Sequence, residues 1–226
     1  MATAARVGGG DGVDCPRTLA RDCDSHAYGE NMNQQEILNL FTESGALLHG
    51  HFKLTSGRHS DVYYEKFTLL KNPRICTQIC QEMAAGLREA KPDVVVGPTL
   101  GGVIIAYDVA RYLGVEALYA EPGESGRVFR RGSTLQPGQK VAIVDDVLTT
   151  GRSLQEVIAL VNSCQAEIVG IALMLDRSGG KVPIDYPLRA LATVAADSWE
   201  PSECPLCAKG EPLTQRGSRR FTGEKA

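Results

Sequence analysis

The sequence predicts an α/β protein with a central, mostly parallel β-sheet flanked by helices. A short continuous apolar run is followed by a helical pattern in residues 93–114 and again in residues 140–165. Another such run begins the stretch over residues 168–180. Apolar strands that alternate with helices are typical of a parallel sheet covered on both faces. The 226 residues, 43% hydrophobic and 23% charged, suit one domain with a sizeable core.

The chain divides into a leader, a domain and a tail. Residues 1–31 are glycine-rich and lack hydrophobic periodicity, so we predict a disordered leader. The domain is predicted to span residues 32–200. Residues 201–226 form a polar tail that contains a Cys-x-x-Cys motif.

Within the domain, each element has a local signal. Hydrophobic residues at 37, 38, 41, 47 and 48 have helical spacing, and Gly45 is predicted to end that helix. Residues 62–67 are β-prone, and Pro73 suits the first turn of a helix over residues 73–90. Residues 141–144 are predicted to form a buried strand, and the run over residues 188–194 adds a further apolar segment.

Composition limits the possible partners and the compartment. The net charge of −3 gives no bulk attraction for nucleic acid or an anionic membrane, so we expect neither partner. No apolar run approaches the roughly 18–20 residues that span a bilayer, and the N-terminus lacks a signal pattern. Seven cysteines, an odd number, favour reduced thiols and a cytoplasmic location over a disulfide framework.

The stretch KVAIVDDVLTTGRSL, residues 140–154, carries the chemistry. Asp145 and Asp146 follow the predicted strand, at the edge of a parallel sheet where ligands bind. The loop over residues 147–153 then leads into a helix, and backbone N–H groups at a helix start attract phosphate. The two carboxylates would repel phosphate but accept hydroxyl groups, so the pattern predicts a sugar phosphate. The alternative is an aspartate pair that caps its own helix without any ligand.

The same stretch resembles the phosphoribosyl-diphosphate (PRPP) signature of type I phosphoribosyltransferases. The resemblance implies that family's fold, with a small N-terminal hood over residues 32–70. Residues 47–67 resemble the hood segment of the orotate-specific branch of the family. Residues 94–115 resemble its pyrophosphate loop and following helix, and residues 171–180 resemble its strand that ends in an arginine facing orotate. The implied PRPP-binding residues are Asp145, Asp146, Val147, Leu148, Thr149, Thr150, Gly151, Arg152, Ser153, Gly101 and Gly102.

The resemblance also implies how the base would be bound. Thr149, Arg177, Tyr63 and Tyr64 are the implied orotate-binding residues, since orotate carries a ring carboxylate that suits an arginine fork. Two alternatives remain open: pairing of Arg177 with Asp176 or another surface acid, and a core position for one of the two tyrosines. Arg58 is read as a turn or interface residue, or else as a ligand contact.

Several cations typical of this branch are missing from the sequence. Thr55 stands where a lysine is usual, Leu100 and Gly101 replace an aromatic-lysine pair, and residues 121–132 contain neither lysine nor histidine. Arginines of that stretch, together with Mg²⁺ carried by PRPP, are predicted to replace those cations. The predicted catalytic set is Asp145, Asp146, Arg127, Arg130 and Arg131, although an exposed β-hairpin is an equally good interpretation of the arginines.

The implied reaction transfers ribose 5-phosphate from PRPP to orotate, which gives orotidine 5′-monophosphate in pyrimidine biosynthesis by a homodimer. The alternatives are a phosphoribosyltransferase for another base, such as a purine, and a non-catalytic PRPP sensor. Cys204 and Cys207 are interpreted as reduced surface thiols, with a structural zinc site or a redox pair as alternatives. The four histidines lack a recognisable metal-binding spacing, and no protein-bound metal is predicted.

Overall fold

A computed structural model describes residues 32–54, 56–194 and 197–216. The predicted leader and Thr55 lie outside these ranges. The centre is a six-stranded sheet in the order β5-β4-β3-β6-β7-β8, whose pairs are parallel except for the antiparallel β4–β5 edge. Its strands are β3 (Val94–Pro98), β4 (Glu116–Gly123), β5 (Gly126–Val128), β6 (Lys140–Leu148), β7 (Glu167–Asp176) and β8 (Leu188–Thr193).

Helices cover both faces of this sheet, as the continuous apolar runs predict. Val141 and Ile143 of β6 pack in one hydrophobic cluster with the buried face of α5 (Arg152–Ser163). Ala142 and Val144 point the other way, toward α1 (Gln34–Glu43), α3 (Pro73–Leu87) and α4 (Gly101–Leu113). Side chains alternate along a strand, so each central strand contributes to two cores. The predicted α/β fold class is confirmed.

The N-terminal segment builds a separate small sheet, the hood. Strands β1 (Leu47–Lys53) and β2 (His59–Tyr64) form an antiparallel hairpin, and the short helix α2 (Lys66–Leu70) follows. Residues from the predicted tail join this sheet: β9 (Thr214–Gln215) pairs in parallel with β1, after the one-turn helix α6 (Pro205–Ala208).

Local signals mark both ends of α1 and the start of α3. Asn33 and Glu36 form a capping box at the start of α1, and Asn72 caps α3 with Pro73 in its first turn. Gly45 adopts a left-handed φ of 70° just after α1, so residues 47 and 48 enter β1 and do not continue the helix. Within the described ranges, every helix is too short or too polar to cross a bilayer.

The strand β6 is longer than predicted, and this change positions the site. Residues 145–148 remain paired with β7, up to Leu148 opposite Asp176, so both aspartates lie inside the strand. On the other side, the pairing with β3 stops at Ile143. The end of β6 therefore projects beyond β3, and a cleft opens beside the aspartates.

Candidate active site

A polar cavity of about 350 Å³ lies at the projecting end of β6. Gly151 lets the chain turn into α5 with a φ of 80°, and a Cβ there would come 2.6 Å from Val182. The loop over residues 149–151 is thus held tightly at the start of the twelve-residue helix α5. The cavity is lined by Arg127, Asp145, Val147, Leu148, Thr149, Thr150, Gly151, Arg152, Ser153, Leu154 and Glu156.

The structure therefore brings eight of the nine predicted loop residues to one cavity. The ninth, Asp146, points to the opposite side of the strand. Its Oδ2 lies 2.7 Å from Nζ of Lys66, the first residue of α2. This lysine was missed in the sequence, where its position two residues after the tyrosine pair of β2 was the available signal.

The aspartates do not cap their own helix. Gly151 occupies the N-cap position of α5, which has no side-chain capping bond. Instead, Asp145 accepts a 2.8 Å hydrogen bond from the N–H of Asp146, and Asp146 accepts one of 2.7 Å from the N–H of Val147. The carboxylates thus hold the backbone of the strand end, and Asp145 also faces the cavity.

Asp145 has an unusual protonation equilibrium. Burial raises the pKa of Asp145 to about 7, with a further increase from the neighbouring Asp146 carboxylate. The N–H of Asp146 and the charges of Lys66 and Arg127 oppose this increase. Near neutral pH this carboxyl group can therefore either accept a hydrogen bond from a hydroxyl or donate one to it.

Arg127, on β5, is the arginine that enters the cavity. It donates from Nη2 to Ser153 Oγ at 3.1 Å and from Nη1 to the carbonyl of Ala120 at 3.1 Å, and its Nε lies 3.3 Å from Glu156. Its side chain is 12% exposed. These contacts hold a positive charge over the start of α5.

Arg130 and Arg131 occupy the outside of the β4–β5 hairpin. Their Nε atoms lie 3.8 and 3.9 Å from the carboxylate of Glu121, and the side chain of Arg131 is 82% exposed. Neither residue lines the cavity. The structure thus separates Arg127 from the two arginines that the sequence grouped with it.

The predicted pyrophosphate loop packs against the aspartates from the β3 side. Gly101 begins α4, and a Cβ there would collide with Oδ2 of Asp146. A Cβ on Gly102 would come 2.6 Å from Pro98. Both glycines therefore permit close packing, and neither lines the cavity. The loop ahead of them contains a cis peptide between Thr99 and Leu100, and Thr99 Oγ1 lies 3.3 Å from Nη1 of Arg127.

Arg177 follows β7, next to the cavity. Its N–H donates to the carbonyl of Leu148 at 2.8 Å, and its guanidinium lies 4.9 Å from the ring centroid of Tyr64. Nε of Arg177 is buried and has no hydrogen-bond partner among the described residues. Burial lowers the pKa of Arg177, an effect that the nearby tyrosines oppose.

The alternative pairing of Arg177 with Asp176 is not present. The Asp176 carboxylate instead accepts hydrogen bonds from the N–H groups of Ser178 and Gly180, at 2.7 and 3.0 Å. Those two bonds form the turn after β7. The guanidinium of Arg177 is consequently left with its Nε donor unused in a buried position. Such an arrangement is costly for a charged group without a ligand.

The two tyrosines of β2 combine packing with proximity to the site. Tyr64 packs edge-on against Phe41 at 5.9 Å and faces Arg177, whereas Tyr63 packs against Phe52 at 5.6 Å. Burial raises the pKa of both hydroxyls. Tyr64 therefore connects the core to the arginine, and the structure supports both interpretations of this residue.

Arg58 lies away from the cavity. It forms an ion pair with Glu200, and its Nε donates to Ser198 Oγ at 3.0 Å. These contacts join the hood to the C-terminal segment. Arg58 is therefore a turn residue whose side chain is paired within the chain and does not reach the cavity.

The residues interpreted as surface thiols and ordinary histidines lie together. Cys204 is buried, 3% exposed, so its interpretation as a surface thiol is wrong. One cluster at the hood contains two histidines and two cysteines: His51, His59, Cys204 and Cys207. The Cys-x-x-Cys motif was the available signal, but its histidine partners could not be recognised because they lie some 150 residues earlier in the chain.

Comparison with known proteins identifies this arrangement. The family model described as "Phosphoribosyl transferase domain" matches residues 68–206. The match includes residues 145–153, the strand end and loop at the cavity, which we call the cradle. Orotate phosphoribosyltransferase of Desulforamulus reducens is 43% identical over 191 residues, which cover 84% of this chain and 100% of that protein. The enzyme of the same name from Carboxydothermus hydrogenoformans is 44% identical over 187 residues, covering 82% of this chain and 98% of that one.

Solved structures agree with these relatives. Orotate phosphoribosyltransferase from Aeropyrum pernix matches with a TM-score of 0.60 and 27% identity over 70% of this chain and 93% of that chain. UMP synthase of Leishmania donovani matches with a TM-score of 0.63 and 25% identity over 73% of this chain and 37% of that one. The chain therefore belongs to the phosphoribosyltransferase family, and within it to the orotate phosphoribosyltransferases. The predicted type I phosphoribosyltransferase fold is confirmed.

Proposed function

We propose that the protein transfers ribose 5-phosphate from PRPP to orotate, giving orotidine 5′-monophosphate and diphosphate. The observation that carries this proposal is the buried, unpartnered Nε of Arg177 beside the phosphate cradle. A base with a ring carboxylate would supply the missing acceptor through a charge-assisted hydrogen bond. Purine bases carry no such group, so the site favours orotate over them.

The cradle would bind the 5-phosphate of PRPP. The N–H groups at the start of α5 and the hydroxyls of Thr149, Thr150 and Ser153 provide several donors around one cavity. Each hydrogen bond to a charged group contributes about 1.5–3 kcal/mol. Asp145 is placed to hold the ribose hydroxyls and to favour the positive charge that develops on the sugar ring as diphosphate leaves.

Arg127 would stabilise the leaving diphosphate. Its contacts with Ser153 and Ala120 fix the guanidinium before substrate arrives, so little reorganisation accompanies the reaction. Arg130 and Arg131, outside the cavity, would reach the diphosphate only if the hairpin moved. No side chain is needed as a nucleophile, because the orotate ring nitrogen attacks the sugar carbon directly.

Mg²⁺ bound with PRPP fits this site. The ion prefers oxygen ligands, and the cavity offers the Asp145 carboxylate and hydroxyl groups while the ligand brings its own oxygens. When bound, Mg²⁺ would neutralise charge on the diphosphate. This chain has fewer cations near the diphosphate than its branch of the family usually carries, so we expect a strict requirement for the ion.

We further propose a cytoplasmic homodimer. Tyr107 of α4 and Tyr119 of β4 are large, exposed and apolar, 67% and 40% exposed, and they line a groove of about 480 Å³. Such a patch suits an interface between copies. The cysteines in the described ranges form no disulfide, which supports a reducing compartment.

The decisive experiment compares two bases that differ by one group. Orotate is uracil with an added ring carboxylate, so diphosphate release from PRPP and Mg²⁺ is measured with each, and with hypoxanthine and xanthine. We expect kcat/KM for orotate to exceed that for uracil by about 10²-fold or more, because an unpaired buried guanidinium costs several kcal/mol. Equal rates with uracil, or turnover of a purine, would contradict the proposal.

A further inference from the structure

Four side chains of the types that bind metals lie together at the hood, and none of them lines the PRPP cavity. His51 lies on β1, His59 on β2, and Cys204 and Cys207 flank the start of α6. Their ligand atoms all lie within 4.8 Å of one another. Nε2 of His51 is 3.0 Å from Nδ1 of His59, 3.4 Å from Sγ of Cys204 and 3.7 Å from Sγ of Cys207.

These separations match those of a tetrahedral site. Around zinc, with bonds of about 2.05 Å to nitrogen and 2.3 Å to sulfur, two nitrogens lie about 3.3 Å apart and nitrogen and sulfur about 3.6 Å apart. The observed nitrogen pair is 3.0 Å apart, and Sγ of Cys207 is 3.3 Å from Nδ1 of His59. Four of the six separations are therefore close to those of a tetrahedral zinc site, and the other two are at most 4.8 Å.

The tautomer of His51 is set by a neighbour outside the cluster. Nδ1 of His51 lies 2.8 Å from the carbonyl oxygen of Glu211, which can only accept a hydrogen bond. Nδ1 therefore carries the proton, and Nε2 presents its lone pair to the cluster. A histidine that ligates a metal is typically oriented by a hydrogen bond of this kind from its other nitrogen.

Hydrogen bonding without an ion satisfies the cluster poorly. If each thiol donates to one ring nitrogen, at 3.4 and 3.3 Å, the lone pairs of the two ring nitrogens face each other at 3.0 Å. If Nδ1 of His59 donates to Nε2 of His51 instead, the single lone pair of Nε2 is used and neither thiol keeps a ring nitrogen as acceptor. A cation at the centre would instead satisfy all four ligand atoms at once.

We propose that His51, His59, Cys204 and Cys207 bind one structural zinc ion. Two thiolates and two imidazoles with tetrahedral spacing are a ligand set that selects zinc. The two histidines and Cys204 are each less than 5% exposed, whereas Cys207 is exposed, so the site lies at the edge of the packed hood. Four protein ligands complete a tetrahedral zinc ion and leave no position for a substrate. The ion holds the C-terminal segment on the hood.

The zinc ion also steadies the strand that carries the tyrosines of the site. His59 begins β2, and its backbone pairs with Trp199 through hydrogen bonds of 2.8 and 2.9 Å. The same strand ends at Tyr64, against Arg177. Losing the ion would therefore loosen β2 at the end opposite to the base site, without removing any group that contacts substrate.

The first test is the metal content of the full-length, tag-free chain, measured by mass spectrometry of the ions after dialysis. We expect about one zinc per chain in the wild type and a loss of most of it in Cys204→Ser and His51→Asn. Cys164→Ser and His49→Asn are the matched controls, because Cys164 lies outside the cluster and His49 is an exposed residue of the same strand. Both controls should retain the ion.

A second measurement does not depend on any variant folding. Trp199 is the one tryptophan of the chain, and it pairs directly with His59. Removing zinc from the wild type with a chelator should shift the tryptophan emission to the red and lower Tm by about 5–10 °C, and zinc should reverse both changes. Wild-type protein without stoichiometric zinc, or with Cys204 and Cys207 joined in a disulfide, would overturn the proposal. Neither measurement involves PRPP or orotate, so its outcome is independent of the proposed activity.

Discussion

Replacing Arg177 with leucine should separate activity from stability. If the guanidinium gives orotate two charge-assisted hydrogen bonds of about 1.5–3 kcal/mol each, kcat/KM for orotate should fall about 10²- to 10⁴-fold. Stability should respond in the opposite direction, because the folded protein buries this charge with an unused Nε. We expect Tm to stay constant or rise by up to about 4 °C, since leucine retains part of the packing against Tyr64.

The assay is steady-state diphosphate release with orotate as the varied substrate, together with thermal unfolding of the same samples. Arg111→Leu is the control, because Arg111 is an exposed helix residue paired at 2.8 Å with Asp108. That variant should keep its activity. An Arg177→Leu enzyme within about threefold of wild type would refute the assignment of the carboxylate site, since even one lost charged hydrogen bond is worth more than tenfold. A large fall in Tm would show that the guanidinium is structurally paired.

Three further predictions concern the cradle. Gly101→Ala places a Cβ on Oδ2 of Asp146, so urea titrations should show the free energy of unfolding falling by about 1–3 kcal/mol. A variant as stable as wild type would contradict the close packing. Because the pKa of Asp145 is raised to about 7 by burial, the folded state keeps a proton that the unfolded chain loses near pH 4. The free energy of unfolding should therefore fall as the pH rises from about 4 to 7. Asp145→Asn should flatten that dependence in urea titrations and should also lower kcat. A variant with the same pH profile as wild type would show that the pKa of Asp145 is not raised. Arg127→Met should lower kcat/KM for PRPP by about 10-fold or more at saturating orotate, and an effect confined to the KM of orotate would place this arginine elsewhere.

The layered core could be predicted because local patterns and tertiary packing agree. The continuous apolar run before Asp145 indicates a strand buried on both faces, and the structure places its alternate side chains in two cores. The end of that strand could not be predicted, because residues 145–148 continue as strand only through pairing with β7, a partner distant in sequence. The same limitation applied to residues 47 and 48, which β2 draws into a hairpin.

The cradle could be predicted because one short stretch contains nearly all of it. Arg127 was selected with two neighbours of equal chemical type, and only its register on β5 distinguishes it from Arg130 and Arg131. Lys66 carries no motif, and the Cys-x-x-Cys motif supplies only half of the histidine–cysteine cluster, since the other partners come from distant segments. Contacts of that kind depend on three-dimensional packing and leave no local spacing to recognise.

The backbone pairing between His59 and Trp199 has a consequence for biosynthesis. The second strand of the hood is made early by the ribosome, but its partner at residue 199 emerges some 140 residues later. Until then that edge of the hood is unpaired, and unpaired edges during synthesis invite association with other chains. Completion of the hood is thus among the last steps in the maturation of this polypeptide. A nascent chain halted before residue 199 would contain the complete cradle sequence but a hood whose second strand lacks this partner.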